Sequence, residues 1–254
     1  MIIFGIDIRV YFLLFLTYSF AGWCMEVIGK LIQYKRFINR GFLNGPYCPI
    51  YGSGAVLVIL VLGKLTNPFL LFFAGALLTC SLEYLTSFVM EKLFHARWWD
   101  YSKRKFNING RVCLIGAVVF GAFSTVLVLW IHPLVTKLTD MLSPLARHIV
   151  SAVLFCGIVT DLVFTVKGMA GFREKIEEVS ELVEQQKKAL EEKIHDSEAA
   201  AKLRGRRTEI KKKFTLQQRR LISAFPSLKF KKPQSNETLR SLRDVMKKIK
   251  EKFY

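Results

Sequence analysis

Four acidic residues, Glu26, Glu83, Glu91 and Asp161, lie inside stretches that are otherwise apolar. An ionisable side chain in such a setting is costly, and it normally faces a partner, a wet cavity or a proton path. Candidate partners stand in the polar segments between the apolar runs: Arg40, Arg97 and Arg111. Carboxylates from helices and guanidiniums from loops would build a hydrophilic site, the acids acting as negative ligands or proton carriers and the arginines as counter-charges. The alternative is a set of buried ion pairs that fix helix register, because buried charge alone is weak evidence of function. Glu83, Ser87 and Glu91 follow one another at helical spacing, which puts them on one helix face.

Two polar segments accompany these charges. The first runs from Asn39 through Arg40, Asn44 and Tyr51 to Gly54, with two prolines and four glycines. That composition excludes a regular helix over most of it and leaves either a cavity-lining, re-entrant loop or a tight connection. The second reads Arg97-Trp98-Trp99-Asp100-Tyr101-Ser102, then Asn107-Ile108-Asn109-Gly110-Arg111. Adjacent tryptophans at a span end suit the interfacial aromatic belt; beside Arg97 they could instead hold a head group or a cationic ligand. Asp100 could pair with Arg97 or Arg111. His95 and Asp100 form an H-x-x-x-x-D spacing like that of some lipid acyltransferases, a weak signal without supporting motifs. The chain has no G-x-x-x-x-G-K-[ST], no H-E-x-x-H and no G-x-S-x-G, and so carries no signature of a P-loop ATPase, a zinc protease of that type or a nucleophile elbow. Its five cysteines form no C-x-x-C pair and read as small apolar packing residues; neither metal nor cofactor is expected.

Apolar helices must position these groups. The chain is 52% hydrophobic, with a mean hydropathy of +0.28. Apolar runs near 8–32, 50–66, 68–93, 112–132 and 146–168 approach the length of about 20 residues that crosses a bilayer, with prolines at their margins. Lys and Arg concentrate in the first and third connections and after the last run, which predicts five spans with the N-terminus outside and the C-terminus inside. The first run has neither a basic leader nor a small-residue cleavage pattern, and is expected to be retained. The fold expected is an all-α polytopic bundle, 1–171, followed by a cytoplasmic helical tail, 172–254. The motif N-G-x-x-C-x-I occurs at Asn44–Ile50 and again at Asn109–Ile115. With Cys24 and Glu26 upstream of one copy and Cys80 and Glu83 upstream of the other, hairpins 8–66 and 68–132 read as a parallel duplication.

The tail changes character along its length. Residues 172–198 hold nine acidic and five basic side chains, with Ile176, Val179, Val183 and Leu190 at near-heptad spacing; 199–254 hold 18 basic and four acidic. The first part suits a helix that packs on itself, a partner or a second copy. The second, with Phe214, Leu221, Ile222, Phe225, Leu228 and Phe230 among its charges, suits an anionic inner leaflet, in preference to nucleic acid. Ser235–Phe253 reads as a last amphipathic helix.

The segments Gly22-Trp23 with Glu26, Asn39–Leu43, Gly45-Pro46, Cys48–Gly52, Glu83-Tyr84 with Thr86-Ser87 and Glu91, Arg97–Ser102, Asn107, Gly110-Arg111 and Cys113-Leu114 resemble the bacterial family of ABC-transporter type IV (CmpB-like) membrane proteins. Ala224-Phe225-Pro226 with Leu228 also resembles its members, whereas Lys105 stands where that pattern has proline. The resemblance implies a multi-span permease-like protein of the cell membrane and does not imply ATP hydrolysis by this chain. With the N-terminus outside, the four acids fall toward the inner ends of their runs and the three arginines in inner connections; with the resemblance, this points to a protein that binds or moves a polar or charged solute at a cytoplasm-facing site. A membrane enzyme acting on a lipid or head group, and a non-catalytic scaffold, remain alternatives. Five spans are few for a lone transporter, so a homo-oligomer or a partner subunit is expected.

Overall fold

In the computed structural model, residues 2–3, 6–179, 183, 213–225, 227–230 and 235–241 are described. The chain forms two compact units: Met1–Val89 with Asp100–Phe164, and Met90–Trp99 with the chain from Thr165 onward.

The first unit is helical. A short hairpin of β1 (Ile2–Ile3) and β2 (Ile6–Asp7) leads into α1 (Ile8–Tyr34), whose N-cap carboxylate, on Asp7, accepts from the Arg9 backbone N–H at 3.1 Å. Lys35, in the left-handed region at φ 51°, ends α1. Helix α2 (Pro49–Leu62) starts on a proline, which fits a first-turn position with no N–H to satisfy. Then come α3 (Pro68–Phe94), whose last residues belong to the second unit, and α4 (Leu114–Val126). A π-helical turn over Leu127–Ile131 joins α4 to α5 (His132–Asp140), and α6 (Pro144–Met169) follows.

Four helical stretches are long and apolar enough to cross a membrane: Ile8–Tyr34, Pro68–Phe94, Leu114–Asp140 and Pro144–Glu178. The run expected at 50–66 gives a helix of 14 residues. At 1.5 Å per residue that is about 21 Å, short of a hydrocarbon core of about 30 Å. Proline at its start, Gly63 at its C-cap and Pro68 beyond it confine the helix to that length.

Small residues let the helices approach. A side chain at Gly22 would overlap the Tyr51 ring, and one at Gly52 would meet Ser19 and the Phe15 carbonyl, so α1 and α2 touch closely at both points. Gly75 against Ser124, and Gly121 against Phe72, do the same between α3 and α4. Val10, Leu14, Tyr18 and Ile59 form one buried apolar cluster, and Val58, Leu62, Leu71 and Val128 another. Large apolar side chains such as Phe69, Phe73, Leu77, Trp130 and Leu145 point outward. So much outward apolar surface suits a lipid surround rather than water.

The second unit corrects the reading of the tail. Strand β3 (Ala96–Arg97) pairs antiparallel with β6 (Lys229–Phe230), so residues between two spans are joined to the distal chain. Helices α7 (Phe172–Glu178) and α8 (Leu216–Ala224) and the helical residues 235–241 complete it. Thr215 caps α8 in a reciprocal box with Gln218. Phe214, Leu221, Ile222, Leu228 and Phe230, expected on a lipid surface, are buried here. Phe172 meets the rings of Phe214 and Phe230, and Phe225 meets Trp98. A core outcompetes an interface for these side chains because it removes their whole surface from water. Ile176, Val179 and Val183 are fully buried, so the near-heptad seam is spent inside this unit; Leu190 lies outside the described residues. Of the helix expected over Ser235–Phe253, residues 235–241 are helical, and the remainder lies outside the described residues. The unit begins at Thr165 and takes in 90–99.

Candidate functional site

The polar anchors of the first unit are Asp161, Glu26 and Glu83, each within a long helix, and Arg111, in the turn ahead of β5. The carboxylate of Asp161, on α6, is held by four donors from the 44–47 loop. The Asn44 backbone N–H and side-chain amide donate to Oδ1 at 3.1 and 2.9 Å, and the Gly45 N–H and Tyr47 hydroxyl donate to Oδ2 at 2.8 and 2.6 Å. Two adjacent backbone amides beside an amide and a phenol make a concave carboxylate receptor. The loop is shaped for it by Asn39, whose side chain accepts from Trp23 Nε1 at 2.8 Å and the Gly41 N–H at 3.1 Å and donates to the Asn44 carbonyl at 3.0 Å. These four donors are uncharged, whereas the sequence marks only arginines as candidate partners for the acids. Tyr47 escaped that reasoning, although it stands within the motif that carries Asn44.

Glu26, on α1, accepts from the Tyr51 hydroxyl at 2.8 Å on Oε1 and from Arg40 Nε at 3.3 Å on Oε2. Of the three candidate arginines, Arg40 is the one that pairs with Glu26 here, and Gly22 gives Tyr51 the room to lie against α1. Glu83, on α3, accepts from the Tyr101 hydroxyl at 3.3 Å on Oε1. It is buried at 7% exposure, and its Oε2 has no hydrogen-bond partner among the described residues.

Arg111, expected as a counter-charge, is buried; its Nη1 donates to Ser87 at 3.1 Å, and its guanidinium lies 5.5 Å from the ring centroids of Tyr84 and Phe88. Neither the Ser87 hydroxyl nor the Tyr84 ring carries a charge that marks it in the sequence, though Ser87 shares the helix face of Glu83. Burial, then the neighbouring Glu83 carboxylate, raise the Tyr101 phenol above its ordinary value, with a smaller contribution from Glu26. Burial, then the bond to Asp161, raise that of Tyr47. Both phenols are thus fixed as donors at neutral pH, and the Glu26 contribution brings the first hairpin's carboxylate within electrostatic reach of Tyr101.

The two copies of the repeated motif start their helices alike: Cys48 is the N-cap of α2 and Cys113 the N-cap of α4, both buried. Their Asn-Gly steps do different work. Asn44 and Gly45 bind Asp161. Asn109 and Gly110 take positive φ values of 52° and 66° in the tight turn between β4 (Asn107–Ile108) and β5 (Val112–Cys113). Asn109 also donates to the Tyr84 hydroxyl at 2.9 Å, whereas the Asn107 amide donates to the Arg104 carbonyl at 2.7 Å and supports its own turn. The Asp100 carboxylate accepts from the Ser102 N–H at 3.0 Å.

The other candidates lie in the second unit. Glu91 pairs with Arg97 at 3.2 Å. Trp98, at 2% exposure, packs edge-on against Phe94 and Phe225. It is a core residue and is not exposed in an interfacial belt; Trp99 beside it is half-buried. Among the described residues, no cluster of three or more His, Cys, Asp or Glu side chains could hold a metal ion.

The family model described as "Putative ABC-transporter type IV" matches residues 13–166. The chain belongs to this family. The match spans every first-unit group described above, from Glu26 to Asp161. Family membership and the apolar helices make the chain an integral membrane protein of transporter-related type. No curated protein and no solved structure matches it.

Proposed function

We propose that this member of the type IV family is a permease-like component that binds or moves a polar or charged solute at a site open to the cytoplasm. The observation that carries the reading is the set of polar groups sunk among apolar helices in the first unit: Glu26 with Arg40 and Tyr51, Glu83 with Tyr101, Arg111 with Ser87. Groups of this kind in a lipid-facing bundle are costly and mark solute or ion paths. The topology proposed is N-terminus outside and C-terminus inside with five crossings, α2 making the short one, because the Lys- and Arg-rich connections are the first and third. Both motif copies then lie on the inner side, in keeping with duplicated hairpins 8–66 and 68–132. The size of the bundle favours a second copy or a partner subunit, and the basic tail favours contact with anionic lipid. The test is native mass spectrometry of the protein in mild detergent, comparing wild type with Glu26→Gln and Arg111→Gln. A co-purifying polar solute lost in the variants is expected. Variants that keep both their ligand content and the physiological output of the wild type at normal protein levels would refute the reading.

A further inference from the structure

Glu26 and Glu83 are the carboxylates that the paired hairpins α1–α2 and α3–α4 carry into the apolar region, and they are unequally satisfied. At Glu26 both oxygens are engaged, Oε1 by the Tyr51 hydroxyl and Oε2 by the Arg40 guanidinium. At Glu83 the phenol is present, supplied by Tyr101 to Oε1, but Oε2 is enclosed and accepts from no donor among the described residues. The nearby guanidinium of Arg111 is directed to Ser87, one turn further along α3, and to the rings of Tyr84 and Phe88. A carboxylate oxygen shut away from water with no donor is among the least favourable groups a protein can bury, and most so where lipid replaces water. Native structures keep few such groups, and each calls for an explanation.

We infer that Glu83 Oε2 is the acceptor for a cationic N–H group of the transported or bound solute, an ammonium or a guanidinium, placed as Arg40 is placed on Glu26. The inference rests on the solute-binding reading above and names the charge class of its ligand. A charged donor on a carboxylate forms the shorter and stronger type of hydrogen bond, and enclosure strengthens it further. A guanidinium or ammonium satisfies the oxygen with a single group, whereas a metal ion would need further acidic or histidine ligands, which the described residues do not gather here.

The test uses the full-length protein in detergent, with methylammonium and methylguanidinium chlorides as probes, sodium chloride at equal ionic strength as control and sodium acetate as the anionic probe. Saturable binding of at least one cation by calorimetry is expected, weakened at least tenfold in Glu83→Gln. Because that variant could fail to fold, a second measurement uses wild type alone: modification of Glu83 by an apolar carbodiimide, read by peptide mass spectrometry, should slow several-fold with the binding cation and not with sodium chloride. The absence of saturable binding by either cation, or equal binding by Glu83→Gln, overturns the inference. So does a modification rate that follows pH and ignores both cations, which would mean that a proton alone occupies Oε2. Acetate binding that survives Glu83→Gln would overturn the cation assignment and leave the solute-binding reading standing. A protein that retains no solute and tolerates Glu26→Gln and Arg111→Gln without loss of physiological output would overturn both.

Discussion

Replacing Asp161 by asparagine tests the geometry of the loop receptor most directly. The carboxylate takes two donors on each oxygen, the Asn44 N–H and amide on Oδ1 and the Gly45 N–H and Tyr47 hydroxyl on Oδ2. An asparagine of the same shape offers one oxygen and one NH2. Whichever way the amide turns, one pair of donors faces another donor. Each donor left without an acceptor costs roughly 1–3 kcal/mol when buried. The site is half open, with Asn44 exposed and Asp161 intermediate, so the lower end applies. The loss expected for two donors is about 2–3 kcal/mol. It should be read as a shift in reversible unfolding by sodium dodecyl sulfate in mixed micelles. Combining the change with Tyr47→Phe should give a coupling energy of about 0.5–3 kcal/mol, because the two side chains share a bond. If Asp161→Asn stays within about 0.5 kcal/mol of wild type, as an ordinary surface change does, and shows no coupling to Tyr47, the receptor does not hold α6 and the reasoning fails.

Gly52→Leu should prevent close packing of α1 on α2, because even a Cβ there meets Ser19 and the Phe15 carbonyl; a cost of about 1–3 kcal/mol or more is expected from the same detergent titration. Trp98→Ala should cost about 3–5 kcal/mol of second-unit stability. It should appear as faster amide exchange at Leu221, Ile222 and Leu228, three residues buried in that unit; unchanged exchange would place Trp98 outside its core. Tyr47 and Tyr101 are raised above the ordinary phenol value, so each stabilises the fold fully below about pH 10 and loses that contribution as pH climbs through its higher folded value. Absorbance titration near 295 nm at about pH 10.5–11, roughly one unit above the ordinary phenol value, should therefore find one fewer un-ionised tyrosine in Tyr47→Phe or Tyr101→Phe than in wild type, and the same number in wild type and variant would refute the shift at that residue.

What the sequence disclosed and what it hid divide by the range of the interaction. Hydropathy over a window of about 20 residues is local, and it located the long helices near their observed bounds. The pairing of Glu26 with Arg40 was also within reach, because it closes over one connection, and so was the pairing of Glu91 with Arg97. In the tail, the apolar side chains of the amphipathic stretches fit a lipid surface by pattern alone. Their actual partner is a strand and a tryptophan more than 100 residues earlier, joined through Ala96 to Phe230 and Trp98 to Phe225. Nothing in the periodicity of 214–230 distinguishes a face that will meet lipid from one that will meet Trp98; only the second option buries both sides. Asp161 shows the same limit at the site itself. A carboxylate in an apolar run announces that it needs donors, and arginine is the expected one, but an Asn-Gly step supplies backbone N–H groups that no charge pattern advertises. The two Asn-Gly steps sharpen the point: identical in sequence, one binds a carboxylate with its amides while the other closes a turn at positive φ. The difference lies in the bends over 42–46, which the Asn39 side chain ties to the Asn44 carbonyl, and in the pairing of β4 with β5 around the second step, so the chemistry of the motif is set by its flanks.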